Sequence, residues 1–90
     1  MFYYTYVLWC WNQDIDDGEF YIGYCKDLKV RFSKHLSGSV TTTEKFKNVR
    51  LVYYEACLNK RDAKAREEAL KTGFGRAYLK RRLKYSSLRQ

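Results

Sequence analysis

Proline is absent from the ninety residues, so no rigid proline-rich linker divides the chain. Histidine occurs once, and cysteine three times with no CxxC pair. An odd thiol count without paired spacing argues against a disulfide framework; reduced thiols in a cytosolic protein are the simpler reading. Zinc would need nearly all of Cys10, Cys25, Cys57 and His35, at a spacing that fits no known ligand pattern. Long apolar runs are also missing. Residues 1–11 are apolar but too short to span a bilayer, and they lack the basic start and small-residue cleavage site of a signal peptide. These absences point to one cytoplasmic domain without membrane attachment, read as residues 1–85 with a tail at 86–90.

Aromatic residues are plentiful: nine Tyr, five Phe and two Trp. That much apolar surface can offset the entropy of ordering even a short chain, which excludes a disordered protein. The net charge is +8, and it is placed unevenly. Residues 1–59 balance seven Lys/Arg against seven Asp/Glu, whereas residues 60–90 carry eleven against three. A basic segment on a neutral body suits a polyanion partner, because each phosphate contact releases counterions. A solvated helix face kept soluble by Lys and Arg would read the same way from charge alone.

Periodicity orders the chain. Residues 2–11 (FYYTYVLWCW) are aromatic and β-branched and read as a strand; a polar turn at 12–18 ends in Asp-Gly; residues 19–25 (EFYIGYC) read as a second strand paired in a hairpin. Alternation puts Tyr4, Tyr6 and Leu8 on one side of the first strand, and Tyr21, Gly23 and Cys25 on one side of the second. Asp27 caps a helix that Gly38 terminates, with Leu28, Phe32 and Leu36 expected to face the core and Arg31 and His35 one turn apart on a neighbouring face. Residues 37–48 read as an exposed loop and 49–57 as a third strand. Asn59 caps a second helix closed by Gly73, on which Ala63, Glu67 and Leu70 share a stripe while Glu68 points elsewhere. A last helix, about 75–83, carries Arg76, Lys80, Arg81 and Arg82. The expected fold is α/β (α+β), a three-stranded antiparallel sheet flanked by helices in the order β-β-α-β-α-α.

Several of these residues stand in a familiar arrangement. Tyr21-Ile22-Gly23 is the second half of a GIY-YIG signature, and Tyr4-Thr5-Tyr6 stands where the first half belongs. Asp27-Leu28 with Arg31 and His35, then Leu51-Val52-Tyr53-Tyr54-Glu55, then Ala63-x-x-x-Glu67 with Leu70-Lys71 and a Gly-x-Gly-Arg turn follow in the family's order. From about residue 2 to residue 80 the chain resembles the compact, single-domain GIY-YIG nucleases and is similar to the N-terminal nuclease domain of the bacterial excision-repair nuclease subunit. It departs from them in lacking the glycine of the first half and an Arg-Pro step before the third strand.

The resemblance implies an endonuclease that hydrolyses phosphodiester bonds in DNA with one Mg²⁺ or Mn²⁺ ion and low intrinsic sequence specificity. Glu67 would be the protein ligand to the ion, Arg31 the fork that holds the phosphate, and Tyr6 or Tyr21 the phenol that acts on the water, with His35 in support. Arg31, Lys71, Arg76, Lys80 and Arg81 would contact the nucleic-acid backbone, with Tyr78 and Tyr85 interleaved to stack on bases. Taken singly, these residues have plainer readings: tyrosines packed in strands, a polar helix face, and a structural Glu67–Arg31 salt bridge. A non-cleaving nucleic-acid-binding module on the same scaffold is the alternative function, and an adaptor using Trp9 and Trp11 is a third.

Overall fold

The computed structural model describes residues 1–86; residues 87–90, most of the expected tail, lie outside the described residues. Within them β1 (Tyr3–Trp11), β2 (Glu19–Cys25), α1 (Leu28–Leu36), β3 (Asn48–Cys57), α2 (Lys60–Leu70) and α3 (Gly73–Arg82) follow in the predicted order. A 3₁₀ turn, Ile15–Asp17, rounds the first connection, with the Asp14 side chain accepting from the Asp16 amide. The sheet is antiparallel with strand order β2-β1-β3.

Because β1 is central, it is covered on both faces, and Tyr6, Val7 and Leu8 are buried in succession. Alternation sorts them into two layers. Tyr6, Leu8 and Cys10 pack beneath Leu28 and Phe32 of α1, together with Phe46 and Leu51. Val7 and Ile22 pack on the other face against Leu70 and Leu79 of α2 and α3. The β1–β2 register pairs Tyr4 with Cys25, Tyr6 with Gly23 and Leu8 with Tyr21, so the two expected side-sharing sets lie on one common face. Between Val7 and Leu8 the β1–β3 register slips by one residue: Val7 faces Tyr53, Leu8 faces Leu51, and Val52 is the bulged residue.

The helix ends follow local chemistry. Asp27 accepts from the Val30 amide and Asn59 from the Arg61 amide, each satisfying a donor that the first helical turn leaves free. At the end of α1, Gly38 takes φ +76°, while its own amide reaches the His35 carbonyl and the Ser39 amide reaches that of Lys34. That is a Schellman closure, in which glycine carries no penalty.

Three expectations are corrected. Leu36 does not face the core; it is 60% exposed, and His35 takes the inward place. Residues 28, 32 and 35 fall within one narrow arc, whereas each further residue turns by about 100° and swings Leu36 outward. Gly73 does not close α2. That helix ends at Leu70, and Gly73 opens α3 under a Thr72 cap whose hydroxyl accepts from the Gly75 amide. Segment 37–48 is not wholly exposed, since Val40 and Thr43 are buried and Phe46 packs on the core.

Candidate active site at the β2 edge

Four of the candidate residues converge on the face covered by α1. Tyr6 rises from β1 and Tyr21 from β2, with ring centroids 6.2 Å apart. His35 reaches down from α1, its ring 5.6 Å from that of Tyr6 and 4.9 Å from that of Tyr21. The Tyr6 hydroxyl lies 2.9 Å from His35 Nε2, and Arg31 Nε donates to the same hydroxyl at 3.2 Å. His35 Nδ1 is 2.7 Å from Thr43 Oγ1. A guanidinium can only donate, so the Tyr6 oxygen accepts from Arg31. The assignment that keeps the phenol proton paired has Tyr6 donating to Nε2, with the ring hydrogen on Nδ1 directed to Thr43.

Electrostatics support that polarity. His35 is pushed down to about 4, by burial first and by the charge of Arg31 second, so near neutral pH it is an uncharged ring. Burial pushes the Tyr6 phenol well above its ordinary value; the hydrogen bond from Arg31 opposes this only in part. Tyr6 therefore holds its proton in this state, which sets it against the expected role of the phenol that acts on the water. It is also 1% exposed, whereas Tyr21 is half-buried and opens outward.

Tyr21 opens onto a groove of about 640 Å³ along the free edge of β2. Glu19, Phe20, Tyr21 and Ile22 of β2 line it together with Thr42 and with the basic residues Lys71, Arg76 and Lys80. Three of the expected backbone contacts are thus gathered at one place. Arg81 is exposed on α3 but does not line the groove.

Glu67 belongs to the opposite layer. It sits on the sheet-facing stripe of α2, between buried Ala63 and Leu70, while Glu68 is exposed. Its side chain is 12% exposed, and Lys71 Nζ lies 3.2 Å from Oε2. Among the described residues no hydrogen bond or ion pair joins Glu67 to Tyr6, Tyr21 or Arg31; Arg31 is engaged with the phenols instead. The Glu67–Arg31 salt bridge is therefore not formed. Glu67, Tyr6, Arg31 and His35 do not line the groove; of the phenol cluster only Tyr21 reaches it, and on the side of the carboxylate only Lys71, the partner of Glu67, does.

The family model described as the GIY-YIG catalytic domain matches residues 2–84. The chain belongs to the GIY-YIG family. It is 40% identical over 68 residues to a UPF0213 protein from Pediococcus acidilactici, covering 72% of this chain and 64% of that one. A UPF0213 protein from Staphylococcus epidermidis is 35% identical over 71 residues, 78% of this chain and 80% of the relative. The solution structure of a UPF0213 protein from Bacillus halodurans is similar with a TM-score of 0.51 and 32% identity, over 88% of this chain and 82% of that one. These relatives' names specify no activity.

The GIY-YIG signature has a physical explanation in this chain. A Cβ on Gly23 would lie 2.5–2.9 Å from the hydroxyl and ring of Tyr6, so glycine lets the first tyrosine lie flat across the second strand. Thr5, between the two tyrosines of the first half, donates from Oγ1 to the Ala63 carbonyl at 2.8 Å and ties β1 to the helix that carries Glu67. Sequence reasoning missed Thr5 and Thr43. The inward set Val40, Thr43 and Phe46, spaced by three, was the available signal in that loop. The Trp9 of the adaptor reading is half-buried; its ring packs edge-on to Phe20 and its Nε1 donates to the Ile15 carbonyl at 2.7 Å.

Proposed function

We propose that this GIY-YIG chain is a metal-dependent endonuclease that hydrolyses phosphodiester bonds in DNA, with one Mg²⁺ or Mn²⁺ ion at Glu67 and little intrinsic sequence specificity. The observation that carries the reading is the β2-edge groove, which Tyr21 lines together with Lys71, Arg76 and Lys80. Such a channel gathers phosphates without reading bases.

Each residue then has a task. Arg31 gives Nε–H to Tyr6 and keeps further donors in a planar, permanently charged fork for a phosphate oxygen. Tyr6, sealed and protonated, holds that fork in place and is itself held by His35, which Thr43 orients. Tyr21 takes the water-orienting role, because it is the phenol that reaches the groove. Lys71, Arg76 and Lys80 position the strand.

The donor set at Glu67 fits a hard divalent ion. It is a largely covered carboxylate whose charged partner is a lysine on a flexible stem. Magnesium keeps several waters and takes phosphate oxygens, so one carboxylate suffices. When bound, the ion would stabilise developing charge on the phosphate and acidify a water.

A cleavage screen over duplex, nicked, flap and junction DNA, with Mg²⁺, Mn²⁺ or EDTA, tests the proposal. Divalent-dependent nicking of at least one substrate is expected. Salt-dependent binding with no cleavage under any divalent ion would overturn it in favour of the non-cleaving module.

A further inference from the structure

Two partly covered carboxylates, Glu55 of β3 and Glu67 of α2, are neutralised in different ways. Glu55 of β3 is gripped by Arg66, whose Nε and Nη2 reach its oxygens at 3.0–3.1 Å, and it accepts from the Tyr53 hydroxyl at 2.7 Å. Arg66 also lies over the Tyr78 ring, 4.8 Å from its centroid. That carboxylate is locked by a planar fork that is itself packed. Glu67 has one partner, the Lys71 ammonium at 3.2 Å, and no second donor among the described residues.

Lys71 is 54% exposed and lines the same groove as Arg76, Lys80 and Tyr21. Its ammonium is a compact charge on a rotatable stem, so it can leave a carboxylate for a phosphate without moving the backbone. Leaving Glu67 covered and unpaired is costly. A departing lysine therefore creates a demand for another cation at that carboxylate. While it stays, its charge repels a divalent ion from the same oxygens.

We propose that Lys71 is an exchangeable counter-ion, which holds the Glu67 carboxylate in the free protein and releases it when a nucleic-acid phosphate in the groove draws the ammonium away. This rests on the reading of Glu67 as the metal ligand. Lys71 thereby couples the two ligands: nucleic acid raises the affinity of Glu67 for the ion, and the ion raises affinity for nucleic acid by the same factor. Until substrate is present, the ion site is weakened by the protein's own lysine.

The test is Mn²⁺ binding to the full chain, read by electron paramagnetic resonance without nucleic acid, for the parent, Lys71→Met, Lys71→Arg and Glu67→Gln. Lys71→Met keeps the apolar stem and is expected to bind Mn²⁺ about tenfold more tightly than the parent, Lys71→Arg no more tightly than the parent, and Glu67→Gln only at background. If Glu67→Gln loses binding while Lys71→Met matches the parent, or if Lys71→Met binds no Mn²⁺, the counter-ion role is overturned. Parent-like binding by Glu67→Gln overturns the metal assignment itself, and the proposal with it. With a non-hydrolysable phosphorothioate oligonucleotide added, the parent's gain in Mn²⁺ affinity should exceed that of Lys71→Met; equal gains would overturn the exchange.

Discussion

The Tyr6 ring owes its position to what Gly23 lacks. Adding one methyl there would meet the ring and hydroxyl at 2.5–2.9 Å, and Tyr6 cannot retreat while Arg31 and His35 hold its oxygen. Gly23→Ala is expected to cost about 1–3 kcal/mol, or roughly 4–8 °C in Tm for each kcal/mol in a domain of this size. Gly73→Ala is the control, since nothing lies within 4 Å of its added Cβ; its melting point should be unchanged or slightly raised. Equal losses in the two variants would contradict the packing account. His35 supplies a second test at this scale. Its folded value, about 4, lies below the ordinary 6.5, so between those two pH values the unfolded chain binds more protons and stability rises with pH. The contribution is complete above pH 6.5 and is lost as pH falls toward 4. Thermal melts across that window should show a steeper fall for the parent than for His35→Gln; parallel curves would show that the ring is not held neutral.

Among the elements, the strands and the helix caps were legible because period-2 alternation and Asx caps are local signals. The face of α1 was not. Leu36 had the right spacing from Phe32, yet the helix buries His35, a polar ring that counts as core only once Tyr6 and Thr43 supply partners from elsewhere in the chain. The end of α2 was misplaced for a related reason: Gly73 resembles a stop, but Thr72 restarts the helix, and Gly75 lets α3 pack directly on the Leu70 backbone. The stripe on α2 was read correctly, and Glu67 lies between Ala63 and Leu70 as periodicity required. What no local pattern could supply was which partner its carboxylate would take. The α1 correction is measurable. Phe32→Ala should cost about 1–3 kcal/mol by removing a half-buried ring from beneath the helix, while Leu36→Ser should stay within about 0.5 kcal/mol. Denaturant midpoints for the two variants check this, and a large loss at Leu36 would restore the discarded face.

For the molecule as a whole, part of the charge excess read from residues 60–90 is gathered at one groove. Lys71, Arg76 and Lys80 share a groove with the β2 edge, while Arg81 stands outside it. Among the described residues no helix is long and apolar enough to cross a membrane. Arg76→Ala and Lys80→Ala should each weaken binding to any DNA sequence alike and reduce the slope of log affinity against log salt by about 1, with Arg81→Ala having less effect. Titrations at several salt concentrations would show this, and slopes unchanged in both groove variants would move the nucleic acid elsewhere on the surface. The central claim is hydrolysis with Glu67 as the metal ligand, and it is tested most directly by measuring nicking and binding side by side for the parent and Glu67→Gln. The account predicts that the variant loses Mg²⁺-dependent nicking while its DNA affinity, measured without divalent ion, stays within about fivefold of the parent, roughly the 1 kcal/mol expected of a change in one ion pair. Equal nicking by the two proteins would contradict it.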